Sequence, residues 1–219
     1  MAELRFADGR QLALGKILCA ARNYASHARE MGAEPPTEPV FFLKPATAVI
    51  HSGEAIVLPP QSADVQVETE LAVILTGRGR NLTAEEAKGL IGGYAAFFDI
   101  TARDLQQKAK QAGMPWAASK GFDTFAPIGD VAPAKAVADP LALRLVLQVN
   151  WQVRQDSPTS DMVFPPSVLL ARASEVMTLE PGDVLATGTP AGVCTIRDGD
   201  VLEAQITGIP TLRCPVRAQ

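Results

Sequence analysis

Val65-Gln66-Val67-Glu68-Thr69-Glu70-Leu71-Ala72-Val73-Ile74-Leu75 is an apolar run rich in Val, Ile and Leu, interrupted by two acids. β-Branched residues at this density favour a strand. Side chains on a strand alternate between faces, so Glu68 and Glu70 point the same way. Two like charges side by side repel unless water or a cation lies between them. A third acid, Asp99, falls in the apolar run Tyr94-Ala95-Ala96-Phe97-Phe98-Asp99-Ile100, where burial obliges it to find a partner. Three carboxylates rooted in apolar strands suit a hard divalent cation bound through oxygen. The residues alone also leave open a Glu-x-Glu pair on a solvated strand face.

The rest of the chain sets the frame for that strand. Its 219 residues, 47% of them hydrophobic, suffice for one domain with a substantial core. Seventeen Gly, seventeen Pro and few aromatics point to many turns and short elements, not a helical bundle. A formal charge of -4 with scattered Lys and Arg gives no nucleic-acid footprint. No signal peptide is visible at Met1-Ala2-Glu3-Leu4-Arg5-Phe6, and no apolar stretch approaches membrane-spanning length. Cys19, Cys194 and Cys214 lack metal-ligand spacing, and Cys19 and Cys214 fall in strand-like runs. A reduced, cytoplasmic protein is the expectation.

Lys16–Ala20 reads as a strand running into a polar helix, Arg22–Met31, which Gly32 ends. Val40–Pro45 is a strand closed by proline. Thr83, with Glu86 three residues on, opens a helix to Leu90 by a capping box. Thr101–Ala112 is helical and stops at Gly113. Strands are expected at Leu141–Val149, Val153–Gln155, Val184–Thr187 and Val201–Ile206, with a helix at Pro166–Arg172 between them. The fold class is α+β and β-rich.

Several side chains suit chemistry beside a cation. His27 and Glu30 lie three apart on the first helix and can touch. A carboxylate beside an imidazole raises its basicity and fixes its tautomer, which suits deprotonating water, although an exposed ion pair has the same spacing. Arg103 and Gln106, also three apart, follow Asp99 closely, and Lys120 follows the Gly113-Met114-Pro115-Trp116 turn. Near a cation, Arg103 and Lys120 would recognise an anionic substrate or steady growing negative charge. Thr187-Gly188-Thr189-Pro190-Ala191-Gly192 is a small-residue loop whose amides and hydroxyls can cradle a carboxylate. It lacks the lysine of a phosphate-binding loop. His51, the other histidine, carries no assigned role.

These pieces form an ordered set. Arg22-Asn23-Tyr24-x-x-His27-x-x-Glu30-Met31 is followed by Glu38-Pro39-Val40-Phe41-Phe42-Leu43-Lys44-Pro45, Glu68-x-Glu70-Leu71 and Asp99-x-Thr101-Ala102-Arg103-Asp104-x-Gln106. Gly113-x-Pro115-Trp116-x-x-x-Lys120, Arg154-Gln155-x-x-x-Thr159-x-x-Met162 and Gly182-Asp183-x-x-x-Thr187-Gly188-Thr189-Pro190-x-Gly192-Val193 complete it. From about Lys16 to Val216 the chain thereby resembles the fumarylacetoacetate hydrolase family, in particular its short single-domain acylpyruvate hydrolase and oxaloacetate decarboxylase branch.

The resemblance implies a mixed β-roll of that family's C-terminal-domain type with a few short helices. It makes residues 16–219 a single catalytic domain, after an N-terminal strand-and-turn extension at 1–15. It implies Mg²⁺ or Mn²⁺ on Glu68, Glu70 and Asp99, and a water-activating dyad of His27 and Glu30 on a segment that orders over substrate. Lys120 becomes the third catalytic residue, and Arg22, Arg103, Gln106 and Thr189 surround the substrate. The expected partners are a small 2-oxo acid and a second copy of the chain in a homodimer. Two positions depart from the family pattern: Ala21 where relatives often have Gly, and Trp151 after Asn150 where a hairpin Gly is usual.

A 2-oxo acid can chelate a divalent cation through its carboxylate and keto oxygens, so the implied activity is hydrolysis of the C–C bond of acylpyruvates. Oxaloacetate decarboxylation and keto–enol isomerisation use the same enolate. An isomerase or decarboxylase of 2-oxo-dienedioates, and a non-catalytic 2-oxo-acid-binding protein, are the competing readings. An intact His27, Glu30 and Lys120 argues against the binder.

Overall fold

The computed structural model describes residues 2–30 and 32–219; Met31, the expected end of the first helix and part of its motif, lies outside the described residues with Met1. The chain begins with β1 (Glu3–Arg5), β2 (Gln11–Ala13), β3 (Ile17–Ala21), helix α1 (Ala25–Glu30) and β4 (Val40–Lys44). Short strands β5 (Val49–His51) and β6 (Ile56–Leu58) precede the long β7 (Val65–Leu75), α2 (Ala84–Lys88) and the long β8 (Ile91–Ala102). Helices α3 (Arg103–Gln111) and α4 (Ala117–Lys120) lead to β9 (Ala126–Ile128), β10 (Ala132–Pro133), β11 (Arg144–Val149) and β12 (Gln152–Pro158). Helix α5 (Pro166–Val176) comes before β13 (Val184–Ala186), β14 (Cys194–Thr195), β15 (Val201–Ile206) and β16 (Leu212–Ala218).

Two large sheets and the two-stranded β1-β2 sheet organise these elements into a mixed, β-rich fold with few short helices. The larger runs β4-β3-β13-β7-β8-β9-β5, with β10 on β8 and β14 on β7. The smaller runs β12-β11-β15-β16-β6. Most pairs are antiparallel, but β13 with β3, β5 with β9 and β16 with β6 are parallel.

Period-two alternation along β7 sorts its side chains between two cores. Val65, Val67, Leu71, Val73 and Leu75 face the larger core, shared with Leu145 and Leu147 of β11, Leu202 and Ala204 of β15, and Leu169 of α5. Ala72 and Ile74 face the second core, which is lined by small residues such as Cys19, Ala95, Ala126 and Ala186. Leu4 and Phe6 from the first fifteen residues are buried in this second core.

The structure shifts several expected boundaries. Helix α1 starts at Ala25 because Arg22 takes a left-handed backbone (φ 56), which a right-handed helix excludes. Thr101 and Ala102 finish β8, so α3 begins at Arg103. Gly89 replaces Leu90 as the end of the helix that Thr83 and Glu86 open, and their reciprocal capping box is formed. Helix α5 runs four residues past Arg172. Among the described residues, no helix is long and apolar enough to cross a membrane. All three cysteines are free, with Cys19 and Cys214 buried.

Candidate active site

The β7–β8 ladder builds the acidic centre. Its register sets Glu68 directly opposite Asp99 and Glu70 opposite Phe97, so Glu68, Glu70 and Asp99 share one face. One ligand oxygen from each lies within 4.8 Å of the others, and all three residues are buried. Burying three carboxylates requires compensation. Lys120 Nζ donates to Asp99 Oδ2 (2.5 Å), Thr101 Oγ1 (2.7 Å) and Glu68 Oε2 (3.2 Å). Lys44 Nζ donates to Asp99 Oδ1 (2.6 Å) and to the Ile100 carbonyl (2.9 Å). Arg103 Nη2 donates to Glu68 Oε1.

Burial alone would raise Glu68, but Lys120, Arg103 and His27 outweigh it and hold this carboxyl below its ordinary value. Glu70 is the opposite case. Burial, then Asp99 and Glu68, push it well above its ordinary value, and only the Gly188 N–H (2.7 Å) favours its charge by direct contact. Among the described residues no cation pairs with Glu70. A buried triad of oxygen donors whose least compensated member lacks a cation fits a hard divalent ion such as Mg²⁺ or Mn²⁺.

The triad floors a cavity of about 370 Å³. Its wall includes Arg22, His27, Arg103, Gln106, Lys120 and Thr189. Glu30 stands behind His27: Glu30 Oε2 lies 3.3 Å from His27 Nδ1, and Glu30 Oε1 accepts from the Gly192 N–H at 2.9 Å. With Nδ1–H donated to Glu30, the His27 Nε2 is left as an acceptor.

The Thr187–Gly192 loop does cradle carboxylates, but they are the protein's own. Its Gly188 amide holds Glu70, and its Gly192 amide holds Glu30. One loop therefore fixes both the acidic centre and the histidine's partner. The Thr189 hydroxyl donates to the Thr69 carbonyl (2.8 Å) and accepts from Gln155 Nε2 (2.8 Å). Arg103 is also engaged, on Gln66 Oε1 (2.8 Å), Gln106 Oε1 (2.7 Å) and Glu68. Its guanidinium fork sets the Glu68 carboxylate and the Gln106 amide together. His51 lies elsewhere, at the end of β5.

Lys44, Gln155 and Asn23 also hold the site together, beyond the residues expected from sequence. Lys44 ends the apolar strand Val40–Lys44, and a lysine there signals a buried charge in need of a carboxylate. Gln155 Oε1 accepts from the Thr69 N–H (2.9 Å), tying β12 to the residue between the two glutamates. Asn23 donates to the carbonyls of Phe164 (2.9 Å) and Thr187 (2.8 Å) and accepts from the Phe164 N–H (2.8 Å). It pins the start of the His27 segment to the Thr187–Gly192 loop. No local pattern announces the last two, because their partners lie tens of residues away.

A family model described as fumarylacetoacetate (FAA) hydrolase C-terminal matches residues 16–217. The chain is 51% identical to an uncharacterized protein of Pyrococcus abyssi, covering 100% of this chain and 98% of the relative. It is 43% identical to the mitochondrial oxaloacetate tautomerase FAHD1 of Arabidopsis thaliana, over 92% of this chain and 90% of the relative. Its fold superposes with a TM-score of 0.96 on fumarylpyruvate hydrolase from Pseudomonas aeruginosa in complex with Mn²⁺ and pyruvate. That pair is 34% identical, covering 100% of this chain and 96% of the other.

Proposed function

The chain belongs to the fumarylacetoacetate hydrolase family, a family of enzymes, and from that premise we propose that it is a divalent-metal-dependent hydrolase of the C–C bond of acylpyruvates. The observation that carries this reading is the pairing of two devices in one cavity. A buried acidic triad lies at the floor, and a histidine oriented by a carboxylate is set into the wall. Binding a 2-oxo acid needs only the first; activating water needs the second.

Glu68, Glu70 and Asp99 would hold Mg²⁺ or Mn²⁺, which when bound supplies electrostatic stabilisation to negative charge growing on the keto oxygen of a 2-oxo acid. The protein's own groups account for the remaining steps. His27 Nε2 takes a proton from water, and Glu30 stabilises the resulting imidazolium. The hydroxide adds to the distal acyl carbon. Collapse of that adduct breaks the bond between the acyl carbon and the methylene, releasing a carboxylic acid and leaving the electron pair as the enolate of pyruvate. Lys120, an ammonium whose three N–H bonds go to Asp99, Glu68 and Thr101, would stabilise the enolate through its positive charge. Return of the His27 proton to the methylene carbon completes pyruvate. Arg22, Gln106 and Thr189 shape the space around the substrate.

A second reading is keto–enol tautomerisation of oxaloacetate, favoured by the name of the Arabidopsis relative. It needs the same enolate and proton transfer but no attacking water. Turnover of acetylpyruvate and of enol-oxaloacetate, each with Mn²⁺ and with EDTA, separates the two. Hydrolysis of acetylpyruvate that EDTA abolishes supports the first reading, and tautomerisation without hydrolysis overturns it.

A further inference from the structure

Of the buried cations around the acidic triad, Arg103 and Lys120 line the cavity and Lys44 does not. The Lys44 side chain has no exposure, and its ammonium donates to Asp99 Oδ1 (2.6 Å) and to the Ile100 carbonyl (2.9 Å). This contact spans the fold. β4 and β8 are four places apart in the strand order, about 19 Å in a flat sheet and well beyond the reach of a lysine. The curl of the sheet brings the two strands across from each other. Lys44 bridges them from the face of β4 that also presents Phe42 to the cavity. A cation outside the cavity acts on its chemistry only through the carboxylate it holds.

What Lys44 holds is one oxygen. Asp99 Oδ1 is turned to Lys44, outside the cavity, while Oδ2 accepts from Lys120, in the cavity wall, at 2.5 Å. A similar division recurs in the other two acids. Glu68 Oε1 accepts from Arg103, and Glu70 Oε2 accepts from the Gly188 N–H (2.7 Å). A carboxylate binds an ion bidentately only when both of its oxygens reach it, so an oxygen tied elsewhere leaves one. That restraint discriminates between ions. Ca²⁺ takes roughly six to eight oxygens and accepts bidentate carboxylates, whereas Mg²⁺ demands a near-octahedral six. Mn²⁺ likewise suits octahedral oxygen donors.

We infer that Lys44 is a positioning residue for the metal site: by holding Asp99 Oδ1 away from the cavity, it keeps this ligand to a single oxygen and selects small six-coordinate ions against Ca²⁺. The inference rests on the cation reading of the triad given above and adds a residue that touches neither ion nor substrate. Asp99 is the member of the triad whose restraint can be removed alone. Arg103 also lines the cavity, and Gly188 holds Glu70 through its backbone, but Lys44 can be replaced without changing any group of the cavity wall. The restraint is also separable from the charge. Loss of a positive charge nearby strengthens the binding of every divalent ion alike, so it cancels in the ratio of two such ions. Loss of the restraint does not cancel, because the larger ion gains more from a second oxygen.

The test is displacement of Mn²⁺ by Ca²⁺ from the full chain, followed by the electron paramagnetic resonance signal of free Mn²⁺, in wild type, Lys44→Met and Lys44→Gln. Methionine fills the space without a donor, and the glutamine amide keeps a neutral one for Asp99 Oδ1. Wild type should favour Mn²⁺. Lys44→Met should shift the ratio of the two dissociation constants toward Ca²⁺ by roughly tenfold or more, and Lys44→Gln should keep it within about threefold of wild type. A folded Lys44→Met with the wild-type ratio overturns the inference and reduces Lys44 to a counter-charge. Equal shifts in the two variants also overturn it, since the retained donor then makes no difference. Should Lys44→Met fail to fold, the wild-type preference still decides: equal affinity for the two ions overturns the inference by itself. The premises fail separately. A wild type that binds neither ion removes the metal reading and this inference with it. A wild type that shows the preference, and its loss in Lys44→Met, yet hydrolyses no acetylpyruvate keeps the role of Lys44 and loses only the hydrolase reading.

Discussion

Glu68 and Asp99 face each other directly across the β7–β8 ladder, and one ammonium, Lys120 Nζ, donates to both, at 3.2 and 2.5 Å. This lysine is thus a structural counter-charge to both carboxylates. Lys120→Met should destabilise the metal-free chain by roughly 3 kcal/mol, because it leaves buried carboxylates short of a partner. Added Mn²⁺ should recover a large part of that loss, as a ligand that binds only the folded state. Thermal melts with Mn²⁺ and with EDTA measure both effects. Equal melting temperatures for wild type and variant in EDTA would show that Lys44 and Arg103 suffice.

Glu70 makes the opposite prediction. It is buried beside Asp99 and Glu68, and among the described residues no cation pairs with it, so its charge costs the metal-free fold stability. Glu70→Gln keeps an acceptor for the Gly188 N–H and removes the repulsion. The metal-free variant should melt higher than wild type, by about 1–2 kcal/mol of stability. Its gain from Mn²⁺ should be smaller and its catalytic activity much lower. A variant that is both less stable and unaltered in Mn²⁺ affinity would remove Glu70 from the ligand set.

His27 and Glu30 separate metal binding from chemistry. His27→Ala should retain Mn²⁺ affinity, since the triad is untouched, while hydrolysis of acetylpyruvate falls by roughly 10²–10⁴. Glu30→Gln keeps an acceptor for the Gly192 amide but no longer stabilises an imidazolium, so it should lose less. Steady-state kinetics beside a metal titration decide the matter. Wild-type rates in His27→Ala would end the dyad assignment.

The β7 and β8 strands and their acids were legible because apolar alternation is local, and local pattern fixes which face a side chain takes. The same logic exposed the capping box at Thr83 and Glu86. Long-range partners were not legible. Lys44 meets Asp99 across 55 residues and Gln155 meets Thr69 across 86, and neither pairing leaves a mark at either end. Backbone strain was marked at one place, where Trp151 follows Asn150 in the position of a usual hairpin Gly, and hidden at Arg22. Asn150 and Trp151 both adopt positive φ (50 and 66) in the two-residue turn between β11 and β12, although tryptophan has no preference for that region. Arg22 has the same property (φ 56), and it cut short a helix that composition alone would have started there.

Gly188 offers a test of how the loop supports the acidic centre. It sits at φ +92, and a methyl group there would lie 2.8 Å from Asn23 Cβ and 3.3 Å from the Ala20 carbonyl. Gly199 has a similar φ of +85 but open space where its methyl would go. Gly199→Ala therefore carries backbone strain alone, about 1 kcal/mol or a little more. Gly188→Ala adds a clash with two buried groups and should cost roughly 3 kcal/mol. The displaced amide would also stop holding Glu70, so Gly188→Ala should weaken Mn²⁺ binding while Gly199→Ala leaves it alone. Denaturation and metal titration of the pair check both parts. If the two variants lose the same stability and bind Mn²⁺ equally, the loop does not position Glu70, and the triad owes its geometry to the β7–β8 ladder alone.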